Sequence, residues 1–75
     1  MRELIEYIAK AIVDNPEKVR VTEVPVEGGI VIRLEVDPED RGKVIGKQGR
    51  IAKAVRALLR VAATRRNIRA TLEIV

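Results

Sequence analysis

The first apolar pattern in the chain has the period of a helix. Within residues 2–14, apolar side chains recur every three or four positions, at Leu4, Ile5, Ile8 and Ile12. This spacing places them on one face and predicts an amphipathic helix of about three turns. The helix is expected to end at Asp14-Asn15-Pro16, because proline cannot continue a helix.

Two alternating segments follow and predict a β-hairpin. Valines alternate with polar residues over residues 19–26, and the alternation slips by one near Val24-Pro25, where we expect an irregularity in the strand. Residues 30–37 alternate strictly and predict a second strand. Glu27-Gly28-Gly29 between them is a tight-turn signal, so antiparallel pairing is expected. Since Pro25 has no N–H to donate, the first strand should lie at a sheet edge.

The second half predicts two helices joined by a glycine turn, and then a strand. Asp37 and Pro38 have the residue types of a helix start, and Gly46 follows within two to three turns. The next apolar positions fall inside a sector about 60° wide: Ile51, Val55, Leu58 and Ala62. The basic residues predicted on the opposite side are Arg50, Lys53, Arg56 and Arg60. Alternation over residues 68–74 predicts the last strand.

Together these elements predict one α+β domain spanning residues 1–75. Their order is helix, strand, strand, helix, helix, strand. We expect a three-stranded sheet with the helices packed on one face. The composition supports an aliphatic core, because Tyr7 is the only aromatic residue among the 75.

Charge and composition narrow the function. The net charge is +4, but residues 41–75 hold ten basic side chains and a single acid, Glu73, whereas residues 1–40 hold ten acids and five basic side chains. A basic half favours a polyanionic partner such as nucleic acid. The chain has no Cys or His, so we predict no metal, no cofactor and no catalytic residue. Without a membrane-length apolar run or a secretory signal, we expect a cytoplasmic protein.

The glycine turn is the candidate site. The stretch from Arg41 to Arg56 holds six basic residues and no acid, with Lys47 and Gln48 between Gly46 and Gly49. Glycines lack a Cβ, so a ligand chain can approach the backbone closely. The helix that follows adds unpaired N–H groups and the positive end of its dipole. The spacing fits neither a Walker A loop nor a dinucleotide fingerprint, and no acid/base pair is apparent, so an enzyme is not expected.

The segment around the glycine turn resembles the signature of a known family. The segment from Val44 to Ile51 resembles the signature of a KH domain, in which a Gly-x-x-Gly loop between two helices clamps single-stranded nucleic acid. The element order resembles the type II KH arrangement. In length, the chain is similar to the small single-domain bacterial KH proteins of the KhpA type. The resemblance implies a post-transcriptional RNA-binding or RNA-chaperone role.

The resemblance also implies which residues contact RNA. Gly46 and Gly49 would let the sugar-phosphate backbone lie against the loop, with Lys47 and Gln48 contacting phosphate and sugar. An aliphatic groove for the bases would be bordered by Ile45, with Val44 and Ile51. Charge along the groove would come from Arg50, Lys53 and Arg56.

Two questions stay open at the level of sequence. The domain could instead be a protein-interaction module that forms a homodimer, or a heterodimer with a larger KH protein, with RNA binding secondary. Arg65, Arg66 and Arg69 fit solvated surface better than the main site, although a secondary polyanion contact remains an alternative. The targets and base preference are not encoded in any recognisable pattern.

Overall fold

The predicted element order is confirmed in the computed structural model, which describes all 75 residues. The helices are α1 (Arg2–Ile12), α2 (Arg41–Ile45) and α3 (Arg50–Arg65), and the strands are β1 (Arg20–Val26), β2 (Gly29–Glu35) and β3 (Arg69–Ile74). Short 3₁₀ turns precede β1, α2 and α3, at Pro16–Lys18, Pro38–Asp40 and Lys47–Gly49. The chain therefore folds as α-β-β-α-α-β.

The sheet is mixed, with β2 in the centre. β1 pairs antiparallel with β2 through a two-residue turn, and β2 pairs parallel with β3. The hairpin and the edge position of the Pro25 strand are thus confirmed. Because β3 is the other edge, the segment containing α2 and α3 must cross over the sheet to return parallel to β2. The crossover brings the glycine turn and both helices into one unit.

The irregularity predicted near Val24-Pro25 is wrong. The pairing runs without interruption from Arg20 opposite Glu35 to Val26 opposite Gly29. Val24 lies opposite Val31, whose neighbour Ile32 is fully buried in the core. Since successive side chains alternate between faces, Val24 and Val31 lie on the sheet face away from the core. The slip in the pattern reflects a partly buried valine pair on that face rather than a bulge.

The core is a single aliphatic cluster between the sheet and the helices. It contains 11 buried residues: Ile5, Ala9, Val13, Val19, Ile32, Leu34, Val36, Val44, Val55, Leu59 and Leu72. On α1 the buried face is centred on Ile5 and Ala9, whereas Leu4, predicted to face the core, is 38% exposed. The shift is small because Ile8 still packs against the cluster.

The face of α3 that is buried differs from the predicted one. Its buried residues are Ala52, Val55, Leu59 and Ala63, while Leu58 is 51% exposed. At 100° per residue, the observed face is rotated by about 75° from the predicted sector. Apolar residues surround much of this helix, so periodicity alone does not select the face. Arg56 and Arg60 consequently flank the buried face instead of lying opposite to it.

Candidate nucleic-acid interface

The start of α2 is fixed by two aspartates. Asp37 accepts a hydrogen bond from the backbone N–H of Glu39 at 2.9 Å, which confirms its predicted capping role. Asp40 is only 1% exposed and is the one buried charged residue. Its carboxylate accepts hydrogen bonds from the backbone N–H of Asp14 at 3.2 Å and from the backbone and side chain of Asn15, both at 3.0 Å. Asp40 thus ties the loop after α1 to the start of α2.

The electrostatics of this anchor favour the ionised carboxylate. Burial opposes ionisation of Asp40, but the hydrogen bonds from Asn15 and Asp14, together with the nearby charge of Lys43, outweigh it and lower the pKa of Asp40. Lys43 in turn donates to Asp14, and this hydrogen bond raises the pKa of Lys43 despite some desolvation. Nothing in the local sequence signals the burial of Asp40, because its hydrogen-bond partners lie 25 and 26 residues away in the chain.

The glycine turn (Gly46–Gly49) connects α2 to α3. The N–H of Gly46 closes α2 by donating to the carbonyl of Gly42 at 2.9 Å, and Gly46 then adopts φ 78° and ψ 173°. A Cβ at Gly46 would lie 2.7 Å from Cγ1 of Ile51 and 2.8 Å from its backbone nitrogen. Both the dihedrals and the close approach of Ile51 therefore require glycine at this position.

The tip of the turn projects into solvent. Lys47 and Gln48 are exposed, and Gln48 and Gly49 both have left-handed backbone conformations, with φ 57° and 74°. A Cβ at Gly49 would meet no atom within 4 Å, so open space adjoins the backbone there. No side chain caps the N-terminus of α3, and no acid lies in its first turn. The uncapped N-terminus of α3 and the ammonium group of Lys47 make this junction suited to an anion.

The predicted site residues differ in their exposure and in their position around the turn. Gly46, Lys47, Gln48, Gly49 and Arg50 are brought together at the junction of the two helices, and Lys53 and Arg56 continue along α3 as exposed cations. Ile45 is 37% exposed and Ile51 is half-buried. Val44, in contrast, is 2% exposed within the core cluster, so it has almost no surface to offer a base. Val44 supports the turn from beneath.

A groove that the sequence pattern did not reveal runs beside α3. This proximal groove has a volume of about 240 Å³, and its lining residues are Arg56, Leu59, Arg60, Ala70, Thr71 and Leu72. Only Arg56 among them was a predicted site residue. The alternation of residues 68–74 predicts β3 but not its neighbours. The groove forms because β3, which pairs parallel with β2, lies beside α3.

The free edge of β3 adds backbone hydrogen-bonding groups to this groove. The N–H groups of Arg69 and Val75 donate towards β2, to the carbonyls of Gly28 at 3.3 Å and Leu34 at 2.9 Å. Backbone groups alternate in direction along a strand, so those of Ala70 and Leu72 point to the unpaired edge. The groove therefore combines aliphatic side chains, two arginines and free backbone donors and acceptors.

The positive charge of this region is almost uncompensated. The three ion pairs of the structure join Lys10 to Glu6, Arg33 to Glu73 and Lys43 to Asp14. Lys43 is thus the one paired cation among the ten basic residues of 41–75. No group of acidic side chains is placed to hold a metal ion. None of the helices combines the length and apolar composition that a membrane crossing requires.

Comparisons with known proteins show which family this chain is similar to. The sequence model of the family described as "KhpA/KhpB, KH domain" matches residues 2–74. The chain is 55% identical to the RNA-binding protein KhpA of Clostridium perfringens over 75 residues, covering both chains completely. It is similar to the RNA-binding protein KhpA of Aquifex aeolicus, with 50% identity over 99% of this chain and 94% of the relative. The protein of the same name from Treponema pallidum is 53% identical, over 97% and 91% of the two chains. No solved structure matches at a significant level.

Proposed function

The chain belongs to the KhpA/KhpB family of KH domains, and from that premise we propose that it binds single-stranded RNA, with the glycine turn holding the backbone and the proximal groove receiving bases. About four nucleotides would occupy such a site. The similar proteins from Clostridium and Aquifex carry the name of RNA-binding proteins. The proposal assigns binding rather than catalysis to this site, and a post-transcriptional or RNA-chaperone role in the cytoplasm.

The observation that carries the proposal is the glycine turn. Gly46, Gln48 and Gly49 have positive φ angles, and Lys47 is exposed between them. A phosphate can approach the open side of Gly49 without meeting a side chain. There it would meet the N-terminus of α3 and the ammonium group of Lys47, and both attract negative charge. Arg50 and Lys53 continue the cationic surface along α3, on the path that the bound RNA would follow.

The proximal groove supports the second part of the proposal. With Tyr7 on α1 as the only aromatic, bases cannot stack on an aromatic platform. They would contact aliphatic side chains instead, at Ile45 and Ile51 beside the turn and at Leu59 and Leu72 in the groove. The free backbone groups of β3 can form hydrogen bonds with base edges. The affinity of one site is expected to be modest, with a salt slope of roughly −2 if three cations each neutralise a phosphate.

Titration of labelled single-stranded RNA against the wild-type chain and the variant K47D/Q48D tests the proposal. The two acids should repel phosphate from the turn, so we expect RNA binding to fall at least about tenfold at low salt. K18D/T22D is the matched control, because it makes the same change in net charge at exposed positions outside the turn. Circular dichroism melts of both variants check that the fold is retained.

Specific outcomes decide between the alternatives. The proposal requires that the control bind like the wild type and that duplex DNA of equal length bind more weakly than RNA. If both variants lose binding equally, net charge rather than the turn accounts for it. If wild-type protein does not bind single-stranded RNA at all, the proposal is wrong.

A second candidate function, association with another protein chain, is favoured by the solvent side of α3. Leu58 is 51% exposed and Val61 is 58% exposed, and with Ala54 they form an apolar stripe at helical spacing. The stripe lies roughly 150° around the helix from Arg56 and Arg60. Burial of such exposed side chains would stabilise a homodimer, or a heterodimer with a larger KH protein. RNA and a partner chain could then be bound at the same time.

Sedimentation equilibrium tests this second candidate. We expect the wild-type chain to dimerise with increasing concentration and the variant L58E/V61E to remain monomeric, because two acids would be buried in the contact. The RNA affinity per chain should be retained. A wild-type chain that stays monomeric would exclude the homodimer and leave a different partner chain as the occupant of the stripe.

A further inference from the structure

The apolar stripe on α3 is complementary to a second copy of itself. Ala57 adjoins Ala54, Leu58 and Val61, all of them are exposed, and at 100° per residue they fall within a sector about 100° wide. Ala54 and Val61 lie equally far from the midpoint between Ala57 and Leu58. When two copies of α3 pack antiparallel about this midpoint, Val61 faces the partner's Ala54 and Leu58 faces the partner's Ala57. Each larger side chain then meets an alanine, so the two helices can approach closely.

Parallel packing of the two stripes would be less favourable. It would set Leu58 against the partner's Leu58 and each alanine against an alanine, which leaves gaps beside the leucines. It would also bring like ends of two helix dipoles together, whereas antiparallel packing sets the positive end of one helix beside the negative end of the other. Arg50 and Arg65, near the two ends of α3, meet like charges in both arrangements and do not decide between them. The stripe therefore fits an antiparallel pair of α3 helices.

The contact between the two stripes is small. Four side chains per copy bury much less than the roughly 800 Å² per partner that is typical of stable complexes. Such a dimer forms only weakly by itself. A ligand that contacts both copies at once would stabilise it, because the ligand binds the pair more tightly than it binds one chain.

An antiparallel pair places its two glycine turns at opposite ends. Each turn precedes Arg50, and from there α3 rises about 11 Å to the midpoint of the stripe. Since helices in contact have axes about 8–10 Å apart, the two turns are separated by about 25 Å. The stripe lies away from Arg56 and Arg60, so both proximal grooves remain open in the pair.

The symmetry of the pair fixes how RNA can occupy both sites. A two-fold axis relates the sites, so a segment in one of them runs in the opposite direction to a segment in the other. Four stacked nucleotides cover only about 14 Å, at about 3.4 Å each. A segment bound at one turn therefore cannot continue directly into the second site, and a linker has to connect the two.

We propose that the dimer formed through the α3 stripe binds RNAs that carry two single-stranded segments of about four nucleotides each, one at each glycine turn and in opposite directions. The linker between the segments must span about 25 Å, which corresponds to about seven stacked nucleotides or more. The inference rests on the proposed function, since it uses the glycine turn of each copy. It assigns tight binding to the pair and modest binding to one chain.

The test measures fluorescence anisotropy of three labelled RNAs titrated with the chain: one random four-nucleotide segment, and two such segments joined by an uncharged glycol linker of about 10 Å or about 50 Å, chosen to fall below or above the distance between the turns. An uncharged linker adds no phosphate contacts of its own. We expect the long-linker RNA to bind at least about tenfold more tightly than the single segment, because the second segment binds at a high effective concentration. The short-linker RNA should gain no more than about twofold, which is the statistical advantage of two segments.

L58E/V61E and its matched control Y7E/A11E identify the surface responsible. Both variants replace two exposed apolar side chains of a helix by acids, and only the first pair lies on the stripe. L58E/V61E should bind the single segment like the wild type and lose the gain from the long linker. Y7E/A11E should keep that gain. Circular dichroism melts check that both variants fold.

Three other outcomes would overturn the two-site dimer while leaving the site of one chain intact. The first is the absence of any gain with the long linker in the wild type. The second is an equal gain with the short linker, which would mean that the two turns are not held apart. The third is a gain that survives in L58E/V61E, which would exclude the stripe as the contact. If the single segment does not bind at all, the proposed function itself is wrong.

Discussion

The two ends of α2 handle charge in opposite ways, although only five residues separate them. At the start, the buried carboxylate of Asp40 accepts three hydrogen bonds. The donors are the backbone N–H groups of Asp14 and Asn15 and the side-chain amide of Asn15. At the end, the glycine turn presents the uncapped N-terminus of α3 and the exposed Lys47, with no acid in the first turn of that helix. The protein supplies its own anion where the fold needs one. Where it supplies none, the backbone is available to a ligand.

Substitution of Gly46, at the C-terminal end of α2, has the largest expected effect on stability. Gly46 occupies a region of φ/ψ space that is essentially restricted to glycine, and Ile51 lies within 3 Å of any Cβ there. We expect G46A to lower the free energy of unfolding by about 3 kcal/mol. Gly49 has a left-handed conformation with open space around it, so G49A should cost only about 1 kcal/mol.

Urea unfolding of the two variants measures this contrast. The difference between them isolates the close approach of Ile51 and the special dihedrals of Gly46, because both changes add one methyl group to the same turn. Equal losses in G46A and G49A would mean that the turn relaxes around Ile51 and that Gly46 is not uniquely constrained.

Removal of the Asp40 carboxylate, at the start of α2, should have the next largest effect on stability. D40A leaves the N–H groups of Asp14 and Asn15 without their acceptor, and we expect the melting temperature to fall by about 10 °C. Thermal unfolding followed by circular dichroism measures the loss. D37A, which removes only the exposed cap on Glu39, is the matched control and should cause a smaller loss. A similar loss in both variants would contradict the anchoring role of Asp40.

Acidification should lower the stability through protonation of Asp40, and we expect this to be the smallest of the effects on stability. The pKa of Asp40 is lowered in the fold, so its contribution to stability is complete above its ordinary pKa of 3.8 and is lost as the pH falls through the lower folded value. Glu6, whose pKa is lowered by the hydrogen bond from Lys10, acts in the same direction. The raised pKa of Lys43 acts at the alkaline end, where its contribution is lost above its ordinary value of 10.5.

Unfolding midpoints in urea between pH 2 and pH 7 test this dependence. We expect the midpoint of the wild type to decrease below about pH 4, and that of D40N to decrease less, because an amide has no carboxylate to protonate. An equally steep decrease in D40N would assign the acid sensitivity to other carboxylates.

Local chemistry in the sequence was sufficient for the elements and for the turn. Alternation identified β2 and the hairpin, Asp37 and Pro38 marked the approach to α2, and the paired glycines marked the candidate site with its cations. These signals depend on residues close together in the chain, where backbone sterics and hydrogen bonding act directly. The KH resemblance drew on the same local segment, and the matched family agrees with it.

The tertiary structure decided which faces meet. Leu59 rather than Leu58 faces the core, Val44 is buried beneath the turn, and Asp40 acquires partners 25 and 26 residues away. The proximal groove exists because β3 returns parallel to β2 and lies beside α3. Periodicity gives the possible apolar faces of a helix, but the choice among them depends on the complementary surface supplied by the rest of the chain. The sequence by itself therefore determined the elements and the glycine turn with its cations, and only the packing of α3 against the sheet determined the groove beside them.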